Sequence, residues 1–406
     1  MMQKSGKVVV VSQHYPPDSS TTASIMAAIA NRVASEAEVL VLSGTAGSAA
    51  AASAGGATVA EVRNWMPGKA VLIKRAIAEA LFTARIFAAL LTKLQRGDVA
   101  LTVTAPFMLP YAVAAAARLK RAKSALIMHD LYPDVLVMAG LLGPNSMPAK
   151  AMRGLNALMF RALNAVVVIG RDTEKLLSRY GGMTPEKIRF IPNWATLDPG
   201  VRPVEADNPF RRPHAARFLV GLSGNLGFTH DPVIVFEAAR LLRADADIHF
   251  LLSGWGIGFD RLKAMQSEAR LANVTLIERV EDRDLEAFLA AANVWLIPYR
   301  SNVAGVSVPS RFYNLLAVGR PVVLVSEPEA EAALTVTENN LGWVVAPGMS
   351  DQLARAIRAA SLSTDPSMAE RAVAAARDFS SDRALTSYAL LIHELLRNPD
   401  KSRQMS

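Results

Sequence analysis

Short apolar runs recur along the chain and alternate with helix-length stretches of amphipathic character. In the first half the runs are KVVVVS at 7, AEVLVLS at 37, VALTVT at 99, SALIM at 124, AVVVIG at 165 and IRFIP at 188. In the second half they are FLVGLSG at 218, DIHFLLSG at 247, VTLIER at 274, NVWLIPY at 293, VVLVS at 322 and GWVVAP at 342. Strand and helix taking turns implies a parallel sheet with helices on both faces. The pattern occurs twice, so two doubly wound α/β domains facing a cleft are expected.

The length of 406 residues agrees, because a single core normally stops growing below that size. DPGVRPVEADNPFRRPH, residues 198–214, lacks periodicity and reads as a linker with a hinge. The expected domains are 1–198 and 199–380, with 381–406 a C-terminal helix and tail packing back on the first domain and fraying after Arg397. The Ala/Gly/Ser-rich stretch 43–61 reads as a mobile loop. Residues 99–117 are nineteen uncharged positions, long enough to suggest a membrane span. Two internal prolines and the change from Thr alternation to an Ala-rich half instead predict strand, loop and helix.

Hydrophobic residues make up 51% and charged residues 20%, which describes a globular chain. The absence of Cys excludes disulfides and thiolate metal sites and fits a reducing compartment. The first thirteen residues hold only a four-residue apolar run, too short for a signal peptide. A formal charge of +8 favours anionic partners. No nucleic-acid-binding signature is present, which leaves lipid and nucleotide. Two amphipathic basic segments stand out. Residues 69–96 contain Lys69, Lys74, Arg75, Arg85, Lys93 and Arg96, and residues 147–164 contain Lys150, Arg153 and Arg161. Such faces can lie on an anionic bilayer, although a doubly wound fold also needs core-packing helices with solvated basic backs.

In an open parallel sheet, ligands bind beyond the carboxyl ends of the strands. After the first strand comes HYPPDSSTT at 14, where His14, Asp18 and the hydroxyls before a helix could hold a phosphate or an acceptor hydroxyl. The glycines of a P-loop or dinucleotide fingerprint are missing there. HDLYPD at 129 brings His129, Asp130 and Asp134 together. It is either a polar, helix-capping turn or a site where His129 contacts a sugar hydroxyl or assists proton movement. LSGNLGFTHD at 222 and LSGWGIG at 252 place Gly224, Asn225, Gly227, Gly254 and Gly256 where the backbone can approach a diphosphate. In GVSVPSRFYNLLAVGRPVV at 305, Pro309 can start a helix that Ser307 and Ser310 cap, with Arg311 beside its positive end. That is a place for an anion, unless Arg311 simply points to water.

HDLYPD at 129, KIRFIPNWA at 187, GNLG at 224, DRDLEAFLAAANVWLIPY at 282, PSRFYNLLAVGRPVV at 309 and ENNLGWVVAPG at 338 together resemble the family 4 glycosyltransferases of bacterial exopolysaccharide and lipopolysaccharide assembly. The resemblance runs from about residue 7 to residue 360. It implies the GT-B fold of two Rossmann-like domains. It also implies transfer of a sugar from a nucleotide-diphosphate donor, bound mainly by the second domain, to a lipid-linked saccharide held by the first. Such enzymes usually retain anomeric configuration and need no metal, so the nucleotide sugar is a co-substrate and no cofactor is expected. His129, Asp130 and Arg311 become the expected catalytic residues. Gly224, Asn225, Gly227, Gly254, Gly256, Ser307, Ser310, Asn314 and Glu338 become the expected donor contacts. The implied location is the cytoplasmic face of the plasma membrane.

The chain departs from the family in places. Two glutamates common in relatives, eight positions apart, are here Val306 and Asn314, and no Arg/Lys pair follows GNLG, where Thr229, His230 and Asp231 stand. Asn293 stands where relatives have Asp. Two other readings therefore stay open: a nucleotide-sugar epimerase of the same architecture, and a non-catalytic binding subunit with a decayed donor site.

Overall fold

The computed structural model describes residues 6–53, 56–65, 72–363 and 365–397. Lys69 and the tail after Arg397 lie outside the described residues. The first lobe runs β1 (Val8–Ser12), α1 (Thr21–Ala34), β2 (Val39–Ser43), β3 (Thr58–Glu61), α2 (Leu72–Lys93), β4 (Val99–Val103), α3 (Leu109–Lys120) and β5 (Lys123–Met128). It continues through α4 (Asp134–Met138), α5 (Met147–Ala162), β6 (Ala165–Val168), α6 (Thr173–Leu177) and β7 (Ile188–Phe190). These strands form one parallel sheet in the order β3-β2-β1-β4-β5-β6-β7.

The second lobe runs β8 (Phe218–Asn225), α7 (Pro232–Leu241), β9 (Ile248–Trp255), α8 (Ile257–Ala269), β10 (Val274–Ile277), α9 (Leu285–Ala291) and β11 (Val294–Pro298). After these come α10 (Ser310–Ala317), β12 (Val322–Val325), α11 (Glu331–Glu338), β13 (Gly342–Val345), α12 (Ser350–Leu362), α13 (Ser367–Asp378) and α14 (Ser381–Arg397). Its parallel sheet has the order β10-β9-β8-β11-β12-β13. Each order reverses once, between β1 and β4 and between β8 and β11. Two crevices result at the carboxyl ends of the strands.

Every apolar run named from the sequence lies on a strand. Val8 to Val11 have no accessible surface, and full burial of such a side chain contributes about 1.5–3 kcal/mol. One face of the first sheet packs on α1 and α14, through Ile25, Ile29, Tyr388 and Ile392. The other packs on α2, α3 and α5, through Phe82, Ile86, Val113 and Phe160. Side chains set the helix starts: Ser20 accepts from Ala23 N, Ser146 from Ala149 N and Asp231 from Val233 N. Residues 99–117 divide into β4, a loop and most of α3, and no helix among the described residues is long and apolar enough to cross a membrane.

Two expectations are corrected. The stretch 43–61 is not loop throughout, because Thr58–Glu61 adds a strand in register with Leu40–Ser43. Four residues with modest apolarity gave no run to detect, yet β2 offered an unpaired edge. The stretch 198–214 is not a free hinge. Gly200 N donates to Ala317 O, Arg202 N to Val318 O, and Arg320 reaches the carbonyls of Arg202 and Pro203. The chain passes between lobes earlier: Trp194 packs on the first core and Ala195 on the second.

At the base of the second sheet, His214 and His249 stack with ring centroids 3.9 Å apart. Arg217 Nη1 lies 2.9 Å from His249 Nδ1, and Arg can only donate. Nδ1 of His249 is therefore bare, and Nε2–H donates to Thr275 Oγ1 at 2.8 Å. Burial, with the neighbouring cations, pushes His249 down to about 4. The unfolded ring titrates near ~6.5, so the unfolded chain takes up more protons between those values. The stabilisation is complete above pH ~6.5 and drains as pH falls through about 4. Thermal unfolding should show Tm dropping between pH 7 and pH 5, with a shallower slope in His249→Gln. Equal slopes would remove this pair from the pH response.

Candidate functional site

At the second crevice, β8 and β9 stay paired to their last residues, Asn225 opposite Trp255. The GNLG turn is thereby pressed against the start of α8: Leu226 N donates to Trp255 O, and Gly258 N to Leu226 O. Gly224 has φ +129° and nothing within 4 Å of where a Cβ would stand. It gives the turn an open face and a dihedral that other residues rarely adopt. Gly256, φ +94°, begins α8 without a side-chain cap, and a Cβ there would meet Asn225 Oδ1 at 2.3 Å. Asn225 is exposed and Gly227 half-buried. Gly254 is buried, and its Cβ would meet Gly224 O at 2.5 Å. It lets the two strand ends pack closely beneath the turn.

The neighbouring loops converge here. Arg279, after β10, lies over the Trp255 ring, 4.6 Å from its centroid. Arg311 is the second residue of α10, and the charges that act on it are Asp282 and Arg279. Burial pulls its pKa down, with Asp282 opposing. It makes no hydrogen bond or ion pair with any described residue, so its donors are uncommitted. The cap expected at this helix is absent. Pro309 is the N-cap residue itself, with φ −74° and ψ 113°, and no side chain accepts from the first N–H groups. Ser310 is exposed, and Ser307 hydrogen-bonds the buried Tyr299 hydroxyl. Phe312 N donates to Pro309 O at 3.1 Å, and the N–H groups of Ser310 and Arg311 are left for another acceptor.

Asn314 and Glu338 serve the chain itself. Asn314 is buried and accepts from Thr196 N at 2.7 Å and Leu197 N at 3.3 Å, while its amide donates to Thr196 Oγ1 at 2.9 Å. It pins the inter-lobe crossing. Glu338, half-exposed at the end of α11, pairs with Arg171 of the first lobe at 3.0 Å.

Across from this crevice, His129 and Asp130 directly follow β5. Both backbone N–H groups donate to Thr104 Oγ1, at 3.2 and 3.3 Å, which fixes the loop after β5 to the loop after β4. His129 Nε2 is buried without a partner. Burial pushes the ring down to about 4, so it is neutral at pH 7. Burial pushes the Asp130 carboxyl up to about 6. The charge of Asp130 reaches Tyr299 of the second lobe and helps raise the phenol pKa, so the two strand-end loops face each other. At β1, His14 Nδ1 lies 2.6 Å from Asp18 Oδ2, and Asp18 Oδ1 accepts from Ser20 N at 2.8 Å. Partial burial opposes these contacts, yet they hold the Asp18 carboxyl below its ordinary value.

The lobes are clamped beside the cleft. Arg171 N, Nε and Nη2 donate to Glu331, which is 3% exposed, at 2.7, 2.9 and 3.0 Å. Asp172 Oδ2 accepts from Gly305 N at 2.6 Å and Glu331 N at 3.1 Å.

Sequence comparison identifies the lineage. The profile described as "Glycosyl transferase 4-like domain" matches residues 19–194, and that described as "Glycosyl transferases group 1" matches residues 207–379. The "Probable glycosyltransferase WbjE" of Pseudomonas aeruginosa is 30% identical over 290 residues, 70% of this chain and 72% of that protein. This chain belongs to the GT-B glycosyltransferases. The "Putative colanic acid biosynthesis glycosyl transferase WcaI" of Escherichia coli (strain K12) is 26% identical over 254 residues, 61% of this chain and 62% of the relative. Anabaena Alr3699/HepE, solved in complex with UDP and glucose, superposes with a TM-score of 0.69 at 16% identity, covering 96% of this chain and 100% of that one. The protein is thus a transferase with relatives in bacterial polysaccharide biosynthesis.

The clamp of this glycosyltransferase leaves almost no local trace in its sequence. An Arg-Asp pair ending a strand run at 171 and a Glu opening a helix after another at 331 were its only signals, and their pairing is set by how the lobes meet. Arg171→Ala leaves a buried carboxylate without its partner and should cost on the order of 2 kcal/mol, read as a lower Tm, with an expanded radius in small-angle scattering. Wild-type values for both would mean that the clamp does not hold the lobes.

Proposed function

We propose that this glycosyltransferase takes a sugar from a nucleoside diphosphate donor held at the GNLG–α8–α10 crevice and adds it to a saccharide carried on a lipid. The observation that supports this most is the uncommitted Arg311 guanidinium next to uncapped N–H groups of α10, in a loop cluster that also contains the open Gly224 turn. Fixed donors of this kind favour an anion. A relative of this fold, HepE, has been solved in complex with UDP-glucose.

In this reading the bond between the sugar C1 and the diphosphate oxygen breaks with its electron pair going to the diphosphate. Arg311 and the amides around Gly224, Asn225 and Gly227 stabilise the charge gained there. Their donors are already in place, and no metal or organic cofactor is called on. An acceptor hydroxyl attacks C1 from the same face, retaining configuration and passing its proton to the departing phosphate. Neutral His129 offers its unpartnered Nε2 to a sugar hydroxyl, and Asp130 orients the acceptor. Val306, buried where relatives have Glu, leaves the sugar to be gripped from the His129 side.

Nucleotide sugars should raise Tm, by the equivalent of about 2.7 kcal/mol at a hundredfold excess over the dissociation constant. Arg311→Ala should lower kcat at least about tenfold. A folded Arg311→Ala enzyme with unchanged kcat would take Arg311 out of the mechanism.

The acceptor's lipid places the enzyme on the cytoplasmic face of the membrane in this proposal. Exposed Ile77 and Leu81, one turn apart on α2, stand among Lys74, Arg75 and Arg85, a combination suited to an anionic surface. The triple variant Lys74→Gln/Arg75→Gln/Arg85→Gln should sediment less with phosphatidylglycerol vesicles. Equal sedimentation would return α2 to a packing role.

A further inference from the structure

A cavity of about 320 Å³ opens between α4, α5 and α6, and none of the residues used above for the donor lines it. Leu131 and Leu176 form part of its apolar wall, and Asp134, Arg153, Arg179 and Tyr180 its polar one. Arg153 is held by a bond from Nη1 to Pro144 O at 2.6 Å and stands 3.9 Å from Asp134. The Tyr180 hydroxyl lies 3.4 Å from both Asn156 Nδ2 and Asp134 Oδ2. The Arg179 guanidinium has no hydrogen bond or ion pair with any described residue, although its backbone N–H donates to Leu176 O at 3.3 Å. Two guanidiniums against one carboxylate leave the cavity net positive, with one cation fixed and one free.

The helix that walls it is amphipathic in an unusual sense. At about 100° per residue, Lys150, Gly154, Ala157 and Arg161 share an arc of α5 next to the cavity. Met147, Leu155 and Leu158 share the adjoining arc, and these three are 78%, 52% and 60% exposed. Leu141, in the turn before α5, is 58% exposed. A cationic recess bordered by bare aliphatic side chains matches a ligand with an anionic head and an apolar chain. A neutral sugar would leave the guanidiniums unmatched, and a soluble phosphate would leave the aliphatic arc uncovered.

We propose that this cavity holds the phosphoryl head of a lipid, with the lipid chain lying along the Met147–Leu155–Leu158 arc of α5. The proposal rests on the reading of a lipid-borne acceptor, and it names where that acceptor's phosphate is gripped. Leu131 links the cavity to Asp130 through the chain. Leu176, whose Cδ1 would lie 2.8 Å from a Cβ on Gly305, links it to the lobe contact. A filled cavity thus stands one side chain away from both halves of the cleft.

The test is cosedimentation of the full chain with phosphatidylcholine vesicles doped with phosphatidic acid, against phosphatidylglycerol at matched surface charge. The expected result is at least a threefold preference for phosphatidic acid, lost in Arg179→Glu and kept in Arg179→Lys. The Arg179 side chain is exposed and holds no hydrogen bond or ion pair with a described residue, so these variants should remain folded. Leu155→Ser/Leu158→Ser should weaken binding to both vesicles. Undiminished phosphatidic-acid preference in Arg179→Glu would overturn the proposal. So would tight binding of inorganic diphosphate, abolished by Arg179→Glu, in a protein with no preference between vesicles, because the occupant would then be a soluble phosphate. Tm shifts with nucleotide sugars on the same samples keep the two readings apart. Intact donor response with no phosphatidic-acid preference removes the lipid site alone, whereas phosphatidic-acid preference without any donor response supports the site and counts against the transferase scheme.

Discussion

The contact on which the rest depends is the bracket between the end of β6 and the start of α11. Arg171 wraps the buried Glu331 carboxylate, and Asp172 accepts from the N–H groups of Gly305 and Glu331. The carboxylate of Glu331 can be buried because three donors from one arginine surround it; without them its desolvation would be a large penalty. The same bracket draws the 303–308 turn against α6. It therefore sets where α10 begins, and with it the position of Arg311 relative to His129 and Asp130.

Around that bracket, the groups at the cleft divide into those already committed and those left open. Asn314, Glu338, Gly254 and Ser307 have partners or close neighbours inside the protein. His129 Nε2, the Arg311 guanidinium and the N–H groups of Ser310 and Arg311 do not. Buried or half-buried polar groups without partners are costly unless something fills them. Their grouping at the ends of β5, β8, β9 and β11 follows from parallel topology, which delivers every strand-end loop to the same edge of its sheet.

Much of this was legible in the chain. Val-, Ile- and Leu-rich runs determine strands, and two sets of them separated by a Pro-rich stretch determine two sheets. The glycines at 224 and 256 marked turns, and their positive φ values show a backbone that other residues rarely adopt. What could not be read was pairing across the lobes. Asn314 occupies a position where relatives have a glutamate that suggested donor contact, yet its partner, Thr196, is 118 residues away. Glu338 carried a motif resemblance but is held by Arg171, 167 residues distant. β3 was hidden because an edge strand of four residues needs only one partner and little apolarity. Long-range polar contacts depend on how the two lobes meet, and no local periodicity encodes that.

A crystal structure of the protein with a nucleoside diphosphate sugar decides whether the second crevice holds the donor. The diphosphate is expected within about 3.5 Å of the Gly224–Asn225 amides and the Arg311 guanidinium, with the sugar turned toward His129 and the Arg171–Glu331 bracket intact. A diphosphate seated at the β1 end of the first lobe, or one that leaves Arg311 in solvent, would contradict it.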